Sequence, residues 1–187
     1  MKKFKLTSEF IVDISGVKLF RIKALIEFGN VKAGDLGGYI EKEENLSHMG
    51  NAWVSGNAQV SGDARVFGDA RVFGNARVFV DAQVFGNARV FGDAWVFGNA
   101  QVSGDAQVFG DARVSGDKDY AYAHGFGSCN RTTTFFRLKD GDVGVRCGCF
   151  YGTLAQFRDN VCETHGETKK AQEYLMLADL MDFRFKN

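Results

Sequence analysis

The chain has 187 residues, with 23 Lys+Arg against 23 Asp+Glu and 45% hydrophobic residues. That length suits one compound domain or two small ones. The zero formal net charge excludes the global field that draws proteins to long nucleic acids or anionic membranes. No stretch approaches the length of a membrane span, so neither a membrane nor a long nucleic acid is an expected partner.

Residues 1–50 read as a β-rich cap. The basic start Met1–Lys5 is followed too soon by Thr7, Ser8, Glu9 and Asp13 for a secretory apolar core. The chain is therefore expected in a cytoplasm, with Cys129, Cys147, Cys149 and Cys162 as reduced thiols. Phe4-Lys5-Leu6 and Phe10-Ile11-Val12 flank a polar break, and Val17 to Ile22 alternates. This predicts a hairpin turning at Ser15-Gly16. Gly34 to Gly38 then leads into the first, irregular coil.

Two counts stand out: 23 Gly with no Pro, and 18 Phe. Both come largely from residues 51–116, which are consecutive six-residue units of Asn/Asp, Ala, a variable residue, Val, Phe/Ser and Gly. Only Val80 replaces the terminal Gly. A period of six does not return to one helical face. Ala-x-Val-Phe/Ser alternates as a short strand does, with Ala and Val facing one way. Gly followed by Asn or Asp is turn chemistry. Three units then make a triangular coil of 18 residues, and the predicted solenoid domain spans 51–124. An array of hairpins would need longer strands.

Residues 18 apart share a column. The first outer face carries Trp53, Arg71, Arg89 and Gln107, beside Ser55, Phe73, Phe91 and Phe109. The second carries Gln59, Arg77, Trp95 and Arg113, beside Ser61, Phe79, Phe97 and Ser115. The third carries Arg65, Gln83 and Gln101, beside Phe67, Phe85 and Ser103. Burying a Phe is worth about 2 kcal/mol, so outward Phe columns ask for a cover, either terminal segments or another subunit. Stacked Asp pairs such as Asp63/Asp81 and Asp93/Asp111 read as turn-capping residues rather than as a metal site.

Residues 125–187 predict a ββαα module. Its elements are a strand over Thr132–Leu138, a turn at Asp140-Gly141-Asp142, a strand over Val143–Tyr151, a helix opened by Thr153-Leu154-Ala155-Gln156, and a second helix over 168–183. Cys147, Cys149, Cys162 and His165 together would make four zinc ligands. Their spacing is not that of a finger, and no metal or other cofactor is expected.

The Val and Ala columns resemble the left-handed parallel β-helix of hexapeptide-repeat proteins. The Gly-Asn/Asp-Ala-Arg/Trp/Gln-Val tandems, the stretch Val31–Glu41 with Asn45-Leu46-Ser47, and Gly148-Cys149-Phe150 resemble such proteins encoded by bacteriophages and prophages. One departure is Phe or Ser after Val, where many hexapeptide proteins carry a small or acidic residue. The resemblance implies the handedness and, with the apolar columns, a homotrimer whose prisms enclose three clefts.

Many hexapeptide proteins are acyltransferases with a His near the subunit cleft. This solenoid contains no His, and only His48 and His124 lie near its ends, so no base is convincingly placed. The expected function is non-catalytic: sequestering a small anionic ligand, such as a cyclic nucleotide used as a signal in host antiphage defence. Arg65, Arg71, Arg77, Arg89 and Arg113 are the candidates for phosphate. Trp95, Phe73 and Phe91 are the candidates for stacking a base. The alternatives are a rigid structural or protein-binding scaffold and an acyltransferase.

Overall fold

A computed structural model describes residues 1–128 and 130–186. The expected free thiol Cys129 lies outside the described residues.

The hairpin forms as its sequence predicts. Strand β1 (Phe4–Val12) pairs antiparallel with β2 (Lys18–Ala24), with an irregularity between Leu6 and Phe10 at the polar break. The Asp13 carboxylate fixes the turn by accepting the N–H groups of Ser15 and Val17. Strand β3 (Leu36–Ile40) pairs antiparallel with β2 on one side. On the other side it runs parallel to the second of eleven short strands, β4 (Trp53–Val54) to β14 (Arg113–Val114), which recur every six residues.

These strands make a β-solenoid of about four turns. Strands three units apart pair in parallel register, giving three sheets: β4-β7-β10-β13, β6-β9-β12, and β5-β8-β11-β14 continued by the N-terminal strands. Backbone N–H groups reach the next coil, as from Arg71 to Ala88 (2.9 Å) and Phe73 to Val90 (3.0 Å). The eleven Val from Val54 to Val114, and the Ala two residues before each, are 0% exposed. These small apolar side chains alone fill the narrow interior.

The corners explain the glycines. From Gly50 to Gly110 they hold φ between 61° and 72°, and Val80 sits among them at 64°. A β-branched residue there is a genuine outlier, costing about 1–2 kcal/mol. Asn and Asp side chains next to the corners bond along the axis, as from Asn51 to Asp69 (2.8 Å) and Asn87 to Asp105 (2.9 Å).

The outward Phe side chains are covered partly within the chain. They stack in columns, Phe73 on Phe91 at 4.7 Å, Phe91 on Phe109 at 4.7 Å, Phe79 on Phe97 at 5.1 Å and Phe67 on Phe85 at 4.9 Å. Each ring removes its neighbours' faces from water and leaves its own half-buried.

Both ends of the solenoid are plugged. Phe4, Ile22, Val31 and Ile40 close one end, and Tyr120 and Phe136 extend the same core at the other. Residues 118–124, expected to close the last coil, open a fourth sheet instead: β15 (Tyr120–Phe126), β16 (Arg131–Arg137), β17 (Val143–Cys147) and β18 (Phe150–Thr153), in that order. The single strand expected over Val143–Tyr151 breaks at Gly148, whose φ is 58°. The module therefore has four strands. Helix α1 (Leu154–His165) carries the expected Thr153/Gln156 capping box, and α2 (Lys169–Phe185) follows. Alternation along β16 sends Phe136 to the solenoid core and Phe135 to the core under the helices. Among the described residues no helix is long and apolar enough to cross a membrane.

Candidate functional site

The structure distributes the eight candidate residues over three faces. Arg71, Arg89, Phe73 and Phe91 share the first face, Arg77, Trp95 and Arg113 the second, and Arg65 stands on the third. What each can do depends on the neighbours one rung above and below.

On the second face, Trp95 lies between Arg77 and Arg113. Their guanidinium carbons sit 5.3 and 4.4 Å from the indole centroid. The strand partners of Trp95 are these two arginines, one rung to either side. Arg113 is further held by the carbonyls of Asp93 (3.0 Å) and Ala112 (2.8 Å). The indole separates the two charges and attracts both. The hairpin tip comes down over this column, and Asp13, Ile14, Ser15, Gln59, Arg77 and Trp95 border a small pocket of about 60 Å³.

The aromatic candidates have neighbours of their own within the fold. Trp95 has two guanidinium groups within 5.3 Å of its centroid. Phe73 and Phe91 face each other at 4.7 Å with 4° between their planes, and Phe91 also faces Phe109. Such columns turn ring edges, not ring faces, to the outside. A base has no gap to enter between rings already in contact.

The first face is different. Arg71 and Arg89 are direct partners on adjacent parallel strands. Among the described solenoid pairs, this is the one rung where two cations stand directly opposite; every other Arg is paired with Gln or Trp. Like charges so placed destabilise a sheet, typically by about 0.2–1 kcal/mol. Neither guanidinium has a hydrogen-bond or ion-pair partner among the described residues. Among those residues, the first-face column is thus the one that holds two such cations on directly paired strands.

Both ends of this column are walled. Above Arg71, the buried Trp53 meets Phe28 edge-on at 5.3 Å. The turn at Gly29 lies beside the Arg71 guanidinium, since a Cβ at Gly29 would lie 2.8 Å from its Nη2. Lys3, 1% exposed, donates from Nζ to the carbonyls of Ala52 (2.8 Å) and Gly50 (3.3 Å). Burial, and then the charge of Arg71, lowers its pKa to about 8, against a smaller opposing pull from Asp69. Below Gln107, the C-terminal sheet takes over. Thr134 Oγ1 accepts the Gln107 N–H, Tyr151 packs on Phe109 at 4.1 Å, and the Arg146 guanidinium lies 5.4 Å from the Phe109 centroid.

The family comparison falls on this part of the chain. Residues 58–72 and 82–98 match the family model of the YdcK beta solenoid repeat. The two matched segments include Arg71 and Arg89. No curated protein matches the chain.

Other candidate chemistry is dispersed. The half-buried Cys147 accepts from Thr133 Oγ1 (3.2 Å) and donates to Tyr174 OH (3.7 Å), while Cys149 and Cys162 are exposed. Among the described residues no three His, Cys, Asp or Glu side chains gather to hold a metal. His48 stacks on Phe4 and accepts the Lys3 N–H at Nδ1, and His124 bonds Thr132 on the C-terminal sheet.

Sequence reasoning placed Arg71 and Arg89 in one column without singling out their pairing. The signal was their offset of 18 residues, one coil. Lys3 and Arg146 carry no such periodic signal, because each arrives from a different module.

Proposed function

We propose that the protein is a non-catalytic binding protein that holds a small phosphorylated anion on its first face. The observation that carries this is the unneutralised Arg71–Arg89 rung. Guanidinium groups fork onto phosphate oxygens, and an anion between them would turn a repulsion into two charge-assisted contacts. Arg77 and Arg113 serve instead to hold the second face through Trp95, and Arg65 stands alone on the third.

In the fuller reading the ligand is a nucleotide, bound in the host bacterial cytoplasm by a protein of phage type that withdraws a signal of antiphage defence. A homotrimer would set each first face in a cleft between prisms. The resemblance to phage hexapeptide-repeat proteins supports that reading.

Calorimetric titration of the whole protein with linear and cyclic nucleotides tests it. Binding is expected for at least one, and Arg71→Gln and Arg89→Gln should each weaken it by about tenfold or more, the worth of a charge-assisted contact. Absence of binding across the panel would refute the reading.

A second reading, a protein-interaction scaffold, is favoured by one observation. Met176, Leu180 and Phe183 form an exposed apolar stripe along α2.

A further inference from the structure

We infer that the Arg71–Arg89 rung recognises two adjacent phosphoryl groups, the diphosphate unit of a phosphoanhydride, in preference to a single phosphate. This rests on the anion-binding reading and narrows it to a ligand class.

The argument is geometric. Arg71 and Arg89 leave neighbouring parallel strands at matched positions, so their side chains start one rung apart, about 4.8 Å, on the same outer face. Each guanidinium offers a planar fork that pairs best with two oxygens of one phosphoryl group. Near neutral pH hydrogen phosphate keeps one oxygen protonated and offers three acceptor-only oxygens to two forks that would take four. A diphosphate supplies a pair of oxygens to each, with its two phosphorus centres lying along the solenoid axis.

The surroundings favour the same ligand. The turn at Gly29 lies beside the Arg71 guanidinium, with no room there for a larger residue, and bounds the strip at its upper end. The column beneath Arg89 continues with the neutral Gln107 amide, its backbone tied to Thr134, and then Arg146 over Phe109. Two cations side by side followed by an amide match two anionic groups followed by a polar uncharged portion. The Phe73–Phe91 column offers C–H edges along the strip, which the positive rim of each ring makes compatible with anionic oxygens and unsuited to base stacking.

The test is calorimetric titration of the whole protein with sodium pyrophosphate and with orthophosphate, free of divalent cations and at matched ionic strength. Wild type, Arg71→Gln, Arg89→Gln and, as a control on another face, Arg65→Gln are compared. Pyrophosphate is expected to bind at least about tenfold more tightly than orthophosphate, the factor one additional charge-assisted contact provides. Either first-face substitution should erase that preference, and Arg65→Gln should keep it. Equal affinity for the two anions, with binding still lost in Arg71→Gln, overturns the diphosphate inference while the anion reading stands. A preference that survives both first-face substitutions overturns the assignment to this rung. If neither inorganic anion nor any nucleotide binds, both readings fall together.

Discussion

The first and second faces of the solenoid are written in the same six-residue code and differ in where the aromatic residue falls among the arginines. On the second face an indole stands between Arg77 and Arg113, and the fold itself satisfies both cations. On the first face Arg89 occupies the rung below Arg71 with nothing between them. The backbone and the Val and Ala interior are alike on both, and each carries a stacked Phe column. Ligand chemistry on a repeat scaffold therefore turns on which residue fills the variable position at an offset of one coil, and not on the fold.

The most severe way to break the comparison is to remove both first-face cations. Arg71→Gln with Arg89→Gln should lower affinity for the phosphorylated ligand by about a hundredfold, two contacts of about tenfold each, as read by calorimetry. The reverse exchange, Trp95→Arg on the second face, would stack three cations and remove two cation–π contacts. It should cost about 2 kcal/mol in urea denaturation.

Lys3 sharpens the account of the first face's upper end. Its folded pKa of about 8 lies below the ordinary 10.5, so between those values the unfolded chain binds more protons. Stability from this group is therefore least below pH 8 and rises as pH increases from about 8 to 10.5, by on the order of 2 kcal/mol. Lys3→Met should flatten that rise. An anion bound at Arg71 would oppose the lowering, so binding near pH 8 should take up a fraction of a proton, measurable from titration heats in two buffers.

A smaller effect separates corner strain from face chemistry. Val80→Gly should stabilise the protein by about 1 kcal/mol, because Gly adopts a φ of 64° without the Cβ clash. Ligand affinity should not change.

Much of this architecture was legible in residues 51–116, where the period of six identified every inward Val and Ala and the 18-residue offset ordered the outer columns. That legibility comes from local repetition, since each unit is a strand and a corner whatever its partners. The termini were less legible. The hairpin turn at Asp13–Val17 and the capping box at Thr153 have local signatures, and both were read. The break at Gly148 and the use of Tyr120 as both plug and sheet strand depend on tertiary packing that no short window shows.

For the site, sequence supplied the arginines and the aromatics but not their mutual contacts. Phe73 stacks on Phe91, Phe91 also on Phe109, and two guanidinium groups lie near Trp95. These contacts follow from axial spacing, which only a stacked structure makes visible.

Urea denaturation of wild type and Arg89→Gln, each with and without saturating pyrophosphate, tests most directly whether the fold leaves the Arg71–Arg89 repulsion for a ligand to neutralise. Without anion, Arg89→Gln should be as stable as wild type or more stable by a few tenths of a kcal/mol. With anion at about a hundred times its dissociation constant, wild type should gain about 2.7 kcal/mol and become the more stable of the two. Arg89→Gln less stable than wild type by the same amount in both conditions would contradict the account.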